Sequence, residues 1–313
     1  RRNLVAGEGG RKAEKGWRRL IALPIRSVTE TLTELAPAKI NLTLRVLRRR
    51  ADGYHDLDSL VAFADLADTV RFTPGDVFSL RVSGPGAAEC GDLSANLILR
   101  AAEALAIKVP GLTRGVFDLD KRLPVAAGLG GGSSDAAAAL RLLARANGIA
   151  ANDPRIVAAA ENVGADVPVC LDPVARVMRG IGHDLGQPVG LPPLPALLVN
   201  PRVAVPTAAV FRALAVTPQG NPAPANPPTA SGALTDWLQT QGNDLETPAR
   251  TIAPVIGDVL DALRALPGAD VVRMSGSGAT CFALFPSLAA AKAAEAALSA
   301  AQPHWWVRGT TLH

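Results

Sequence analysis

Between residues 40 and 47 the apolar side chains Ile40, Leu42, Leu44 and Val46 fall at every second position. That is the period of a strand with one buried face. Similar alternation marks 31–36, 68–72, 77–82 and 116–120. Turn formers interrupt the pattern at Asp52-Gly53, Pro74-Gly75 and Gly84-Pro85. A longer period, three to four, predicts helices over 96–106, 136–146, 154–163, 254–266 and 287–301, with Asn147-Gly148 and Gly164 as stops. Residues 197–201 read as a buried strand and 208–214 as a short helix. Strands at 271–274 and 281–285 flank a glycine run. The last helix, 287–301, is expected to close the chain.

At 313 residues the chain is long enough for two domains. The Pro-rich stretch 186–195 is expected to be irregular and to separate them, giving units at 29–185 and 186–313. A second Pro-rich stretch, 217–231, reads as a surface loop. Residues 1–28 hold eight Arg or Lys against Glu8 and Glu14, a net +6, so the rest carries −2 of the overall +4. This head reads as a disordered tail or as the product of a start codon placed too far upstream. An organelle presequence is the sharper alternative, against which the two glutamates speak. The remainder is nearly neutral, and the pI of 9.2 is no argument for nucleic acid.

Cys90, Cys170 and Cys281 are widely spaced, which fits a reducing compartment and neither a disulfide framework nor a zinc site. No apolar run approaches the roughly 20 residues of a membrane span. A cytoplasmic protein with no membrane association and no evident obligate protein partner is expected.

The chemistry concentrates at Pro124-Val-Ala-Ala-Gly128-Leu129-Gly130-Gly131-Gly132-Ser133-Ser134-Asp135. Each glycine costs about 1 kcal/mol in a helix interior relative to alanine, so this run is read as a loop, with the helix starting at 136. A helix start leaves about four N–H groups unpaired and carries roughly half a positive charge. Glycine loop plus helix start is a cradle for phosphate. A turn capped by Ser133 or Ser134 is the plainer reading. The loop is not a Walker A motif, having no Lys or Arg between Arg122 and Arg141, and its spacing is not that of a dinucleotide fingerprint.

Three further features stand out. Lys39 and Asn41 begin the 40–47 strand on its polar face, where a solvated strand-end lysine is the ordinary alternative. Asp166 follows a helix C-terminus, whose dipole disfavours a carboxylate. It lies among apolar Ala165, Val167 and Val169, so it is either structurally bonded or used. Tyr54, the one tyrosine, stands beside His55 on a polar loop. An aromatic there covers local core or stacks on a planar ring. The second glycine run, Ser275-Gly-Ser-Gly-Ala-Thr280, is not a hydrolase elbow and by itself reads as a tight turn.

Three of these segments occur together in order: Ala36-Pro-Ala-Lys39-Ile-Asn41-Leu, Pro124-x3-Gly128-Leu-Gly-Gly-Gly-Ser-Ser134 and Ser275-Gly-Ser-Gly-Ala-Thr280. This combination resembles the GHMP small-molecule kinases. Ala-Asp52-Gly53-Tyr54-His55, Asp-Lys121-Arg122-Leu-Pro124 and Gly164-Ala-Asp166-Val-Pro-Val narrow the likeness to the branch that phosphorylates a cytidine-diphosphate-linked methylerythritol on the route to isoprenoid precursors. The likeness covers about residues 34–300. The basic head and the 217–231 insertion depart from it.

The resemblance implies an α+β, two-domain GHMP kinase fold with the active site in the cleft between domains. It implies ATP and Mg²⁺ as cofactors and a small alcohol as substrate. Asp166 would be the catalytic carboxylate and Lys39 its cationic partner. Pro124 and Gly128, Leu129, Gly130, Gly131, Gly132, Ser133 and Ser134 would bind ATP. No motif supplies a metal site directly; Mg²⁺ would come with ATP, Ser134 touching it or a phosphate. Tyr54 and Phe211 would sandwich the cytosine, with His55, Asn41 and Thr207 nearby. Two rivals are a GHMP kinase of other substrate, which has no cause to keep Asp52-Gly-Tyr-His55, and a non-catalytic nucleotide-binding module, which does not need both Lys39 and Asp166.

Overall fold

The computed structural model describes residues 30–214, 223–224, 226–229 and 231–313. The basic head and most of the 217–231 loop lie outside the described residues. Among the described residues, eleven strands form one connected sheet. Its hub is β3 (His55–Gly75), 21 residues long, which pairs antiparallel with β1 (Leu32–Asn41), β2 (Arg45–Arg49), β5 (Arg114–Asp120) and β6 (Arg176–Gly180). β4 (Ser79–Ser83) runs parallel to β5, and β7 (Asp184–Pro188) is antiparallel to β6. The second half of the chain adds β8 (Leu194–Asn200), β9 (Val272–Met274), β10 (Cys281–Leu284) and β11 (Trp306–Leu312), in the order β11-β8-β10-β9. β11 joins the two parts through Leu312 opposite Ala64.

Helices cover the sheet. α1 (Leu97–Lys108), α2 (Gly131–Ala146), α3 (Pro154–Val163) and the short α4 (Val167–Leu171) enclose one core with β1, β3 and β5. α5 (Thr207–Ala213), α7 (Glu246–Ile252), α8 (Val255–Arg264) and α9 (Leu288–Ala301) enclose a second with β2, β8, β9, β10 and β11. A third core, including Ile40, Leu42, Leu129, Leu238 and Phe282, joins them and takes in α6 (Ser231–Thr240).

Capping chemistry explains the clean helix starts. Asn96 accepts from Ile98 N–H at 3.0 Å, and Asp153 accepts from Arg155 N–H at 2.9 Å with Pro154 following it. Four expectations need correction. The helix after the glycine loop begins at Gly131, five residues early, because close packing outweighs glycine's intrinsic cost there: a Cβ on Gly131 would lie 3.1 Å from Lys121 Nζ and one on Gly132 3.4 Å from Leu97 Cδ1. The 40–47 strand is two strands with a bend at Leu42–Thr43; both halves keep their apolar side chains buried, which is why one period spans them. The Pro-rich 186–195 stretch holds the end of β7 and the start of β8. Finally, β11 and not α9 closes the chain: Trp306–Leu312 pairs along the whole of β8.

Candidate active site

The cleft, about 1010 Å³, lies where the first and third cores meet the second. The glycine loop forms its floor. Gly130 is the N-cap of α2 at φ +61°, and no side chain caps the helix, so neither Ser133 nor Ser134 fills the first-turn N–H groups. They are left for a ligand, and an anion suits them. Two glycines are required by contact as well as by conformation. A Cβ on Gly128 (φ +74°) would lie 2.5 Å from the Ser275 carbonyl oxygen, and one on Gly130 would lie 3.0 Å from Lys39 Cε. The loop therefore packs directly on the second glycine run and on the lysine stem.

Lys39 occupies the end of β1, almost wholly buried. Its Nζ lies 3.1 Å from Asp166 Oδ2 and donates to Asn41 Oδ1 at 3.2 Å. Asn41 Nδ2 donates to Ser59 Oγ at 2.7 Å, and Ser59 donates to the Thr43 carbonyl. The Lys39 backbone N–H donates to the Leu129 carbonyl at 2.8 Å, tying strand to loop. Asp166, at the junction of α3 and α4, forms no side-chain cap and presents its carboxylate to the cleft. A cation and a carboxylate thus face the same space as the uncapped helix start.

Across the cleft, His55 and Phe211 stack with ring centroids 5.1 Å apart and planes at 28°. Burial, helped by Arg49, holds the His55 pKa below its usual value. Tyr54 stands exposed on the rim. Thr207 and Phe211, four apart on α5, share its cleft face, and the Thr207 hydroxyl is 2.8 Å from Ser277 Oγ.

Two residues assigned to the ATP loop stand elsewhere. The Leu129 side chain is buried in the third core, and its carbonyl accepts from the Lys39 N–H. Ser134 is buried, donating to the Pro37 carbonyl at 2.7 Å and lying against Cys170. It is Ser133 that lines the cleft, together with Pro124, Gly128 and Gly130–Gly132. The reason is helical: with α2 starting at Gly131, Ser134 points to the sheet and Ser133 to the open side.

Sequence reasoning missed the cluster beside the loop. Lys121 Nζ bonds Asp68 Oδ2 at 2.6 Å and Asp135 Oδ2 at 2.7 Å, all three buried. Asp68 also accepts from the N–H groups of Arg122 and Leu123, whereas Asp135 Oδ1 has no hydrogen-bond partner among the described residues. Burial, with the like charge of Asp68, lifts Asp135 to about 7 despite Lys121. The quoted segments Asp-Lys121-Arg122 and Ser134-Asp135 held the only signal.

A Mg²⁺ site must be judged on donors. Among the described residues no three His, Cys, Asp or Glu side chains converge as a metal cage. Mg²⁺ ordinarily takes one or two protein oxygens and fills its shell from phosphates and water. The oxygens of Asp166 and Ser133 on the cleft wall fit that pattern, and Ser134 does not.

Comparison with known proteins gives the same picture. The GHMP kinases N terminal domain matches residues 96–172 and the GHMP kinases C terminal domain residues 230–304. The chain is 58% identical over 287 residues to the 4-diphosphocytidyl-2-C-methyl-D-erythritol kinase of Methylobacterium radiotolerans, a match spanning 90% of this chain and 99% of that one. It is 54% identical over 292 residues to the protein of that name from Rhodopseudomonas palustris, spanning 90% and 97%. A crystal structure of 4-(cytidine 5'-diphospho)-2C-methyl-D-erythritol kinase superposes with TM-score 0.73 at 36% identity, covering 90% of this chain and 99% of that chain. Homoserine kinase from Cytophaga hutchinsonii, at 18% identity and TM-score 0.67 over 91% and 96%, shares the fold. No helix among the described residues is long and apolar enough to cross a membrane.

Proposed function

The chain belongs to the 4-diphosphocytidyl-2-C-methyl-D-erythritol kinases of the GHMP superfamily, and from that premise we propose how its cleft carries the reaction. The enzyme transfers the γ-phosphoryl group of ATP to the 2-hydroxyl of 4-diphosphocytidyl-2-C-methyl-D-erythritol, in the methylerythritol phosphate pathway. The carrying observation is Lys39 Nζ at 3.1 Å from Asp166 Oδ2, in the cleft floored by the uncapped start of α2.

A tertiary hydroxyl is a poor nucleophile, and a positioned base lowers its barrier. Asp166 receives the hydroxyl proton as the alcohol oxygen bonds to the γ-phosphorus. The bond from that phosphorus to the β,γ-bridging oxygen breaks, and ADP leaves. Lys39, steadied by Asn41, offsets negative charge on the attacking oxygen and the phosphoryl group. Phosphoryl transfer is chiefly positioning and charge stabilisation, which suits a site whose donors are a lysine and backbone N–H groups. Gly128, Gly130–Gly132 and Ser133 hold the phosphates. Mg²⁺, entering with ATP, would meet Asp166 and Ser133 and would neutralise phosphate charge.

The cytosine stacks between Tyr54 and Phe211, with His55 and Thr207 at its edge. The contact of the His55 ring with Phe211 supports a slot for one flat ring. We place the enzyme in the cytoplasm, where Cys90, Cys170 and Cys281 stay free, and the domain division after β7, a few residues beyond the expected 185/186.

Phosphorus NMR of the product tests the reading. One new phosphomonoester per ADP, on the oxygen of the methyl-bearing carbon, is expected. A phosphate on a secondary hydroxyl would contradict it.

A further inference from the structure

Arg273 carries a charge that the reaction above leaves unused. It sits on β9, 6 % exposed, and burial lowers its guanidinium to about 10, with Glu246 acting against that. Its hydrogen bonds go to backbone carbonyls: Leu42 at 2.5 Å, Leu238 at 2.7 Å and Gln241 at 2.8 Å. Leu238 lies in the last turn of α6 and Gln241 directly follows it; the Leu238 carbonyl also takes the Gln241 N–H at 3.1 Å, and the helix dipole is negative at this end. One nitrogen of the guanidinium is thereby seated on the helix end, and the other is aimed at Leu42.

Leu42 is the bend between β1 and β2, directly after Asn41. Two residues beyond Arg273, Ser275 Oγ accepts from the Asn41 N–H at 3.0 Å and donates to the Gly128 carbonyl at 2.9 Å. The run 273–275 therefore grips the corner at two adjacent residues, by the N–H of Asn41 and the carbonyl of Leu42. The Asn41 side chain holds Lys39. Phosphate loop, lysine strand and α6 are pinned through these few bonds.

We propose that Arg273 is a positioning residue for phosphoryl transfer: holding the Leu42 carbonyl against the end of α6, it fixes the strand end from which Lys39 and Asn41 face Asp166. This rests on the assignment of Lys39 and Asp166 made above. A planar fork with several fixed donors reaches both sets of carbonyls at once, which an ammonium does not. An apolar side chain takes the guanidinium donor from the carbonyls of Leu42 and Gln241 and leaves that of Leu238 with the Gln241 N–H alone.

The test compares Arg273→Lys, Arg273→Met, Asn41→Ala and Arg273→Met/Asn41→Ala, with Lys39→Met alongside. Turnover is read well below each variant's melting temperature. Misplacement by about 1 Å costs on the order of 100-fold in rate, so both Arg273 variants should lose about 10- to 100-fold in kcat while KM for both substrates stays within about threefold. The double variant should fall short of the product of the single losses, because both act through one corner. Folded Arg273 variants with kcat within about twofold of wild type, or losses that multiply fully, overturn the role of Arg273. Should Arg273→Met fail to fold, Arg273→Lys carries the test on its own kcat. Wild-type turnover by Lys39→Met instead overturns the underlying site, separately from Arg273.

Discussion

Lys39 and Asp166 meet at 3.1 Å with unequal exposure: the lysine side chain is 4 % accessible and the aspartate 42 %. An ion pair of this kind, with one member sealed in the protein and the other open to the cleft, is poorly placed to add stability. Exposed charge is screened, and such pairs are worth about 0–1 kcal/mol. The arrangement does leave a carboxylate available to a hydroxyl while its countercharge stays fixed beneath.

Asp166→Asn should lower kcat by about 100- to 10,000-fold, the range expected when a general base is lost. ATP affinity should stay within a few-fold, since the groups proposed to hold the phosphates are the N–H groups at the start of α2 and not Asp166. A coupled ADP-release assay and calorimetric titration with a nonhydrolysable ATP analogue read the two quantities. Loss of ATP binding with turnover intact would reverse the assignment.

Gly128→Ala should damage nucleotide binding and stability together. The new Cβ meets backbone of the second glycine run, which has no flexible end to move aside, and φ is +74°. A strained backbone of this sort costs about 1–3 kcal/mol. Thermal melting should show a drop of several degrees and the KM for ATP should rise. An unchanged melting curve would mean that the two loops do not pack as described.

Tyr54→Ala and Phe211→Ala should raise KM for the cytidyl substrate and leave KM for ATP alone. Stacking of one base on an aromatic side chain is worth about 1–3 kcal/mol, or roughly 5- to 150-fold. Steady-state kinetics at fixed, saturating ATP measure this. A change confined to ATP would put the rings in the wrong subsite.

Asp135 gives a pH prediction whose sign is fixed. Burial raises its folded pKa from 3.8 to about 7, so between those values the folded chain holds a proton that the unfolded chain has released. Stability from this group therefore falls as pH rises from about 4 to about 7. Asp135→Asn removes that decline, and the melting temperature of the wild type should lose ground to the variant across this window. Parallel curves would show that Asp135 titrates normally.

How far the chain could be read from its letters differs by element. α1 and α3 were legible because their helical period is local, with Leu97, Ile98, Ala101 and Leu105 on one face of α1 and Gly164 ending α3. β11 was not, since Trp306–Leu312 earns its strand state from β8, more than a hundred residues earlier. The start of α2 was not legible, since the contacts that hold Gly131 and Gly132 in its first turn come from Lys121 and Leu97, outside the loop. In the site, Asp166 stood out as a carboxylate against a helix dipole and Tyr54 as the one tyrosine on a polar loop, whereas Lys39 and His55 had ordinary local readings and stood out only in the motifs of the resemblance. The Lys121 cluster was not: Asp68 is 53 positions away, on a strand whose alternation says only which face is inward. Likewise the partner of the Asn41 N–H is Ser275, 234 residues on.

The most direct single measurement is ADP release by the wild-type chain with ATP, Mg²⁺ and 4-diphosphocytidyl-2-C-methyl-D-erythritol, beside mevalonate and homoserine. Turnover confined to the cytidyl substrate is the result predicted. Turnover of mevalonate or homoserine with none of the cytidyl substrate would contradict it, keeping the fold but removing the cytosine slot at Tyr54, His55 and Phe211.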